Sequence, residues 1–376
     1  MHIKRQYDDL DKYLKRGKAL VVYGPRRVGK TTLLKRYLST IKIKYKLDSG
    51  DNIQTQHLLG SHDFKQIFSY LGDNQLIAID EAQKVPNIGM ALKIIVDQKP
   101  EIVTIATGSS SFDLSNQIGE PLTGRKKMIV LYPVSQMELK SDLSEYELKQ
   151  NIEDYLLYGS YPEVLTAINK EEKIETLQDL VNSYLLKDIL TLDKIKGSKK
   201  IFDLLKLLAL QIGNEVSLSE LANNLDIDIK TVGRYIDLLE KTFVIVRAGA
   251  LSRNLRSEIV HKQKYYFVDT GVRNAIINQF NTLDSRNDVG ALWENFIVIE
   301  RLKKRTYQNI YGNWYFWRTY SQQEIDLIEE RDGKLFGFEC KWSVKKEVKP
   351  PKEWQKTYSG AEFTVITPDN YLEFIV

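Results

Sequence analysis

Residues 19–32 of this 376-residue chain read Ala-Leu-Val-Val-Tyr-Gly-Pro-Arg-Arg-Val-Gly-Lys-Thr-Thr, and this stretch decides the fold. Its apolar first part predicts a short buried strand at Ala19–Tyr23, and the pattern at Thr31–Leu38 predicts a helix. The loop Gly24–Thr31 has the spacing Gly-x-x-x-x-Gly-Lys-Thr, whose glycines let backbone N–H groups curl around phosphate oxygens. A strand, a phosphate loop and a helix in this order predict a parallel α/β sheet with crossover helices.

The residues of the phosphate loop have expected roles in binding ATP together with Mg²⁺. Lys30 is expected to reach the β- and γ-phosphates, and the Thr31 hydroxyl is expected to ligate the metal ion. The side chains of Arg26 and Arg27 are expected to face outward, because the backbone of the loop contacts the nucleotide. The predicted nucleotide-binding residues are Gly24, Pro25, Arg26, Arg27, Val28, Gly29, Lys30, Thr31 and Thr32.

A second motif consists of an apolar strand that ends in two carboxylates, Asp80 and Glu81. Asp80 at the strand end is placed to hold the water shell of Mg²⁺, and Glu81 is placed to polarise the attacking water. By itself such a pair also fits the N-cap of a helix. Its position about fifty residues after the phosphate loop, in the order that this fold requires, favours the catalytic interpretation and predicts ATP hydrolysis.

Two further elements supply candidate groups near the γ-phosphate. The predicted strand Ile102–Ala106 is followed by a Thr-Gly-Ser-Ser-Ser run, so that Ser109 or Ser110 would sense the γ-phosphate; a plain serine-rich turn is the alternative. Arg125 is a candidate charge-stabilising arginine, with a surface arginine as the alternative. A fourth strand is predicted at Met128–Leu131.

These motifs resemble those of predicted AAA+ ATPases of bacteria and archaea that carry a C-terminal domain of unknown function. The resemblance rests on the phosphate loop, on Ile-Asp-Glu-Ala-Gln-Lys-Val-Pro, on Thr-Gly-Ser-Ser-Ser and on Leu-Thr-Gly-Arg; Tyr161–Glu163 and Tyr266–Gly271 match as well. It implies an AAA+ core sheet, a helical and winged-helix middle and a nuclease-like tail. It also implies Ser109 or Ser110 as a sensor and Arg125 as an arginine on the γ-phosphate side.

Composition limits the class of protein. The chain is long enough for two or three domains, and its 43% apolar and 28% charged residues are ordinary for a soluble protein. The single cysteine, Cys340, and four histidines provide neither a disulfide framework nor a zinc-ligand cluster. The absence of a signal-like or membrane-length apolar run predicts a cytoplasmic protein without a membrane partner. A net charge of +4 permits nucleic-acid binding without arguing for it.

The middle of the chain is predicted to be helical from about residue 145. Leu218–Leu225 and Ile229–Lys241 have helix-turn-helix proportions, and Phe243–Val246 would be the strand of a wing. Acidic residues interleave with basic ones in the second helix, which would weaken contact with phosphates. Contact with DNA and contact with protein therefore both remain open.

The tail is predicted to contain a helix, three strands, a second helix and a last strand. Strand periodicity puts Glu324 and Asp326 on one face, and Glu339 and Lys341 on one face of the next strand. This arrangement resembles the Asp…Glu-x-Lys signature of restriction-endonuclease-like nucleases. The resemblance implies that Asp326 and Glu339 bind Mg²⁺ and that Lys341 positions or activates water. Glu294, on the predicted helix, would be a third metal ligand, with a solvent-facing residue as its alternative.

The sequence thus predicts an α/β protein: an AAA+ P-loop core at residues 1–142, a helical linker or lid at 143–200, a winged-helix-like part at 201–256 and a restriction-endonuclease-like domain at 257–376. Two functions are open. One is an ATP-hydrolysing enzyme coupled to the nuclease-like domain and acting with DNA or RNA. The other is a nucleotide-dependent switch whose inactive nuclease-like domain docks a protein or nucleic-acid partner. The oligomeric state is not predicted.

Overall fold

The computed structural model describes residues 3–108, 121–185, 198–251 and 263–376. The described residues divide into two units. The first, which we call the phosphate-loop unit, contains Lys4–Pro133 and Lys241–Phe243. The second unit is built mainly from Val134–Glu240 and Val244–Val376. In the described ranges no helix has both the length and the apolar character needed to cross a membrane.

The phosphate-loop unit is built on a five-stranded sheet in the order β2-β3-β4-β1-β5, with all neighbours parallel. The strands are β1 Ala19–Tyr23, β2 Tyr45–Ser49, β3 Leu76–Asp80, β4 Val103–Gly108 and β5 Lys126–Val130. The α-helices are Lys30–Thr40, Ile53–Gly60, Phe64–Leu71 and Ile88–Gln98, with 3₁₀ turns at Leu10–Tyr13 and Ala82–Lys84. The parallel α/β core that the sequence predicts is therefore present.

The inner strands are apolar over nearly their whole length because helices cover both faces of a parallel sheet. Leu76, Ile77, Ala78 and Ile79 are all fully buried. Parallel strands end at a common edge, so the residues that follow β1, β3 and β4 lie along the same side of the sheet. This is the edge at which the phosphate loop lies.

The second unit contains a mixed seven-stranded sheet in the order β12-β11-β10-β9-β7-β8-β6. Its strands are β6 Glu215–Val216, β7 Ile245–Ala250, β8 Gln263–Phe267, β9 Asn313–Arg318, β10 Glu324–Arg331, β11 Lys334–Cys340 and β12 Glu362–Ile366. Its helices are Gln136–Leu139, Glu145–Gln150, Ile152–Tyr158, Pro162–Thr166, Lys170–Asp179, Leu180–Leu185 (a π-helix), Ser198–Leu210, Leu218–Leu225, Ile229–Lys241, Thr270–Ile276, Val289–Tyr307, Lys352–Thr357 and Tyr371–Ile375, with a 3₁₀ turn at Leu283–Ser285.

The helices Leu218–Leu225 and Ile229–Lys241 have the bounds that the sequence predicts. The strand that follows them begins at Ile245 rather than at Phe243, because Phe243 has a left-handed φ of 59° that no strand residue adopts. This strand, β7, pairs antiparallel with β8 and parallel with β9. The strands β7 and β8, which lie before and after the predicted boundary at residues 256 and 257, thus belong to one sheet, and the four-part division of the chain stays a prediction.

Strand β10 contains an irregularity where Asp326 lies. Ile325 is opposite Trp317 and Ile328 is opposite Tyr315, so β10 has one residue more than β9 over this stretch. Both isoleucines pack against Trp317 and Trp354, which a regular two-residue period would not allow. A β-bulge of this kind re-aims the side chains beside it.

Candidate functional site

The phosphate loop of the first unit has a backbone that only glycine allows at two points. Gly24 has φ 149°, and a Cβ at this position would lie 2.1 Å from the carbonyl oxygen of Leu131. Gly29 has φ 93° and is the N-cap of the helix Lys30–Thr40. The loop therefore approaches the end of β5 closely and then turns its N–H groups toward the helix start.

The side chain of Lys30 is folded back onto the loop. Its Nζ donates to the carbonyl oxygens of Gly24, at 2.9 Å, and Pro25, at 2.5 Å. Lys30 is only 6% exposed. A buried ammonium that lies over carbonyl oxygens can exchange these acceptors for phosphate oxygens, which carry full charges.

Arg5 supports the phosphate loop from outside it. The buried Arg5 guanidinium donates from Nη1 to the carbonyl oxygen of Val28 and from Nη2 to that of Tyr132, each at 2.6 Å. It thus connects the loop to the segment after β5. Sequence reasoning missed Arg5, because a lone arginine about twenty residues before the loop carries no motif.

Thr31, Asp80 and Thr107 meet at the edge of the sheet. The Thr31 hydroxyl donates to Asp80 Oδ2 at 2.8 Å, and the Thr107 hydroxyl donates to Asp80 Oδ1. Strand β4, which carries Thr107, lies between β1 and β3. Thr107 was not predicted as a site residue; its position directly after the predicted strand Ile102–Ala106 was the signal that could have found it.

Glu81 follows Asp80 in a left-handed conformation with φ 49°. Its N–H donates to Asp80 Oδ1 at 3.1 Å, and the Gln83 amide donates to Glu81 Oε2 at 2.6 Å. A Cβ at Gly50 would lie 2.3 Å from the Glu81 carbonyl oxygen, so glycine is required there. The Glu81 carboxylate is thus held beside Asp80, at the edge where the loop lies.

The other residues that were predicted for the ATP site are Ser109, Ser110, Arg125, Thr32, Arg26 and Arg27. Ser109 and Ser110 lie outside the described residues. Arg125 precedes β5, whose first residue pairs with Ala19 at the start of β1, and its guanidinium forms an ion pair with Asp97. It is therefore at the opposite edge of the sheet, about 16 Å away at about 3.3 Å per residue, and is not placed at the γ-phosphate of its own chain. Thr32 is exposed, and Arg26 and Arg27 are half-buried rather than fully outward.

A second group of charged residues is buried in the second unit. Lys264 Nζ donates to Glu294 Oε1 at 2.9 Å and lies 3.7 Å from Asp326 Oδ1. The Tyr266 hydroxyl also donates to Glu294 Oε1, at 2.7 Å, and the Cys340 N–H donates to Asp326 Oδ2 at 2.8 Å. We call Glu294, Asp326, Glu339 and Lys264 the carboxylate–lysine cluster.

Glu339 lies on β11 near Asp326, and Lys341 directly follows the end of that strand. Lys341 Nζ is 2.6 Å from Glu339 Oε1, while Glu339 Oε2 is buried and has no hydrogen-bond partner in the described structure. Burial and the charge of Asp326 raise the pKa of both Glu294 and Glu339 to about 7. Burial alone would lower the pKa of Lys264, yet the carboxylates of Glu294 and Asp326 raise it overall. Lys264 is therefore charged.

The arrangement corrects two expectations for the tail. Glu294 is not solvent-facing, since it is 8% exposed and bonded to Lys264. The predicted three-ligand Mg²⁺ site of Glu294, Asp326 and Glu339 is not formed: the described residues contain no group of three or more acidic, histidine or cysteine side chains arranged to hold a metal ion. The physical reason is that an ammonium is already bonded to Glu294 and lies near Asp326.

The motifs Tyr161–Glu163 and Tyr266–Gly271 belong to a tightly packed corner of the second unit. Buried Asp269 accepts from the N–H groups of Ser160, at 2.7 Å, and Val272, at 3.1 Å, and so caps the helix Thr270–Ile276. A Cβ on Gly271 would lie 2.0 Å from the Tyr158 carbonyl oxygen. These contacts give Asp269 and Gly271 of the second motif a structural role.

Comparisons with known proteins match three segments of the chain to family models. Residues 16–140 match a family model described as an AAA domain. Residues 149–283 and 289–372 match two models described as domains of unknown function, DUF8612 and DUF4143. The chain therefore contains an AAA-type P-loop domain followed by a C-terminal DUF4143 domain.

The similar curated proteins are themselves uncharacterized. One from Mycobacterium tuberculosis is 28% identical over 336 residues, which is 88% of this chain and 72% of that protein. One from Haemophilus influenzae is 25% identical over 311 residues, 76% of this chain and 74% of that protein. Among solved structures, a Walker-type ATPase of Pyrococcus abyssi superposes with a TM-score of 0.48 at 17% identity, covering 72% of this chain and 94% of that one.

Proposed function

We propose that this chain binds ATP with Mg²⁺ at the phosphate loop and hydrolyses it. The observation that carries the proposal is the 2.8 Å hydrogen bond between the Thr31 hydroxyl and Asp80, groups that follow two separate strands of the sheet. A hydroxyl and a carboxylate at this edge, directly beside a glycine-rich loop, are the oxygen ligands that Mg²⁺ prefers when it is bound with a nucleotide.

Each residue of the site has one role in this proposal. The N–H groups of the loop and the Lys30 ammonium hold the phosphates, while Thr31 and Asp80 would hold the metal ion. When bound, Mg²⁺ neutralises charge on the phosphate oxygens. Thr107 keeps the Asp80 carboxylate oriented, and Glu81, fixed by Gln83, polarises the attacking water.

The proposal is tested by measuring ATP binding and phosphate release on the full chain. Lys30→Ala is expected to abolish binding, and Glu81→Gln is expected to keep binding while slowing hydrolysis at least about 100-fold. Lys35→Ala, an exposed lysine on the same helix, is the matched control and should leave both unchanged. Unchanged ATP affinity in a folded Lys30→Ala protein would overturn the assignment.

We further propose that the ATPase acts with nucleic acid, and that the C-terminal part has a nuclease-like fold following a winged-helix-like part. Support comes from the helix-turn-helix proportions of Leu218–Lys241 and from the order of elements after residue 289, a helix, three antiparallel strands, a helix and a strand. An ATPase rate that rises when DNA or RNA is added would support the action with nucleic acid. If nucleic acid neither binds to the protein nor changes the ATPase rate, the proposal is refuted. Cutting that disappears in Asp326→Ala plus Lys341→Ala would identify a nuclease.

One observation favours a second candidate, a nucleotide-dependent switch that docks a protein partner. Arg247, at the strand that follows the helix pair, forms an ion pair with Glu240 at 3.1 Å and lies 4.0 Å from Asp237. A cation neutralised by its own chain contributes little to phosphate contact. Equal partner affinity in the ATP and ADP states would rule out the switch.

A further inference from the structure

The carboxylate–lysine cluster contains a cation supplied by the chain itself. Lys264 lies on β8, 2% exposed, with its ammonium also placed 5.6 Å from the centre of the Phe316 ring. A paired strand lies on each side of Lys264, since it is opposite Glu215 of β6 and Ala248 of β7. A lysine fixed in this way has no short path to solvent, so its charge stays within the cluster.

These contacts engage carboxylate oxygens of Glu294 and Asp326 that would otherwise be available as metal ligands. Glu294 Oε1 accepts from both Lys264 and Tyr266, and Asp326 Oδ2 accepts from the Cys340 N–H. Mg²⁺ demands near-octahedral oxygen ligands at about 2.0–2.1 Å and loses its water reluctantly. An ammonium 2.9 Å from one carboxylate and 3.7 Å from the other repels a second cation from the space between them.

We infer that the Lys264 ammonium is the resident counter-cation of Glu294 and Asp326, so that the cluster takes no divalent cation while Lys264 is present, and that it is a latent divalent-cation site once Lys264 is removed. This inference rests on the proposal that the C-terminal part has a nuclease-like fold. Its test measures metal binding and requires neither cleavage nor ATP. Glu339 Oε2, buried and without a partner in the described structure, is the oxygen that the freed site would recruit.

Lys264 also compensates the negative charge that is buried in the cluster. Three buried carboxylates without compensation would be costly, since buried charges require partners. Lys264 and Lys341 supply two positive charges to Glu294, Asp326 and Glu339, and Lys264 is the more deeply buried of the two. The lysine therefore compensates the buried carboxylates without a metal ion.

The experiment is a titration of the nucleotide-free full chain with Mn²⁺, read out by calorimetry and by the electron paramagnetic resonance signal of free Mn²⁺. Wild type and Lys264→Arg, which keeps the charge, are expected to bind no Mn²⁺ that depends on Asp326. Lys264→Met is expected to gain one Mn²⁺ site, at least tenfold tighter than any in wild type, and to lose it when Asp326→Asn is added.

Three outcomes would overturn the inference. They are Mn²⁺ binding by wild type that Asp326→Asn abolishes, a folded Lys264→Met protein that gains no site, and a gained site that survives Asp326→Asn. If Lys264→Met does not fold, the comparison of wild type with Asp326→Asn decides: the inference requires that the two proteins give the same Mn²⁺ titration, and a Mn²⁺ site lost in Asp326→Asn would overturn it. ATP hydrolysis measured on the same preparations reports separately on the proposed function of the phosphate-loop unit.

Discussion

The contact between Arg5 and the phosphate loop leads to a prediction about ATP affinity. Arg5→Met keeps most of the aliphatic stem and removes the guanidinium that donates at 2.6 Å to the carbonyl oxygens of Val28 and Tyr132. A hydrogen bond from a charged donor contributes roughly 1.5–3 kcal/mol to stability. The bond to Val28 holds the phosphate loop itself, so without it part of the free energy of ATP binding must be used to order the loop. A loss of about 1.5–3 kcal/mol corresponds to about a 10- to 100-fold rise in Kd.

The assay is calorimetric titration of wild type, Arg5→Met and Lys12→Met with a slowly hydrolysed ATP analogue. Lys12 is the matched control, because it is a cation of the same N-terminal segment whose side chain is 72% exposed and forms an ion pair with Asp9 at 3.2 Å. Its replacement should leave Kd within about twofold. A folded Arg5→Met protein with wild-type affinity would refute the reasoning that the loop is held from outside its own sequence.

Three further predictions concern buried groups. Thr107→Val removes the hydroxyl that donates to Asp80 and should lower kcat about tenfold or more while changing Kd less; Thr104→Val, a buried threonine on the same strand, should not. Gly271→Ala forces a Cβ against backbone and should cost about 3 kcal/mol or more in urea unfolding, whereas Gly290→Ala, with open space around it, should be neutral or stabilising. Glu329→Gln should cost about 3–5 kcal/mol at pH 7, and the difference from wild type should shrink as the pH falls.

The direction of the last pH effect follows from the Glu329 pKa. Burial alone would raise this pKa, but hydrogen bonds and charges from Arg301 and Arg305 lower it below its usual value. A carboxylate with a lowered pKa in the folded state stabilises the protein above the unfolded pKa, and this contribution is lost as the pH falls through the folded pKa. Stability that falls less steeply with acid in wild type than in Glu329→Gln would contradict this account.

The ATP site was predictable to the extent that it depends on local sequence. The strand before the loop, the loop glycines, and the acidic pair after β3 each carry their own pattern within a few residues, and Ala19–Tyr23 has the predicted bounds. Strand β2, Tyr-Lys-Leu-Asp-Ser at the edge of the sheet, was missed because it forms no apolar run of the kind that marks the inner strands, and its polar–apolar alternation was not used as a signal. Arg5 acts through tertiary contacts that no local pattern encodes, whereas Thr107 was within reach of sequence reasoning because it directly follows the predicted strand Ile102–Ala106.

The tail was less predictable for the same reason. The period-two pattern of β10 assumes a regular strand, and the extra residue near Asp326 breaks that assumption. Lys264 and Glu294 are thirty residues apart, on a strand and a helix, so their pairing depends on how the two elements pack. The narrow polar strip of the helix Val289–Tyr307 contains Glu294 together with Arg301 and Arg305, yet both arginines are buried in ion pairs with Glu329.

The buried lysines Lys30 and Lys264 differ in the acceptors of their hydrogen bonds, and this difference bears on which of them can bind an anionic ligand. Lys30 donates to the neutral carbonyl oxygens of Gly24 and Pro25, so a phosphate that replaces them offers the ammonium a stronger, charged acceptor. Lys264 already has the carboxylate of Glu294 as its acceptor, and an incoming anion would have to displace a charge of the same sign. Nucleotide binding is therefore favourable at the first lysine, whereas the second stabilises the fold around it and has little to gain from an anionic ligand.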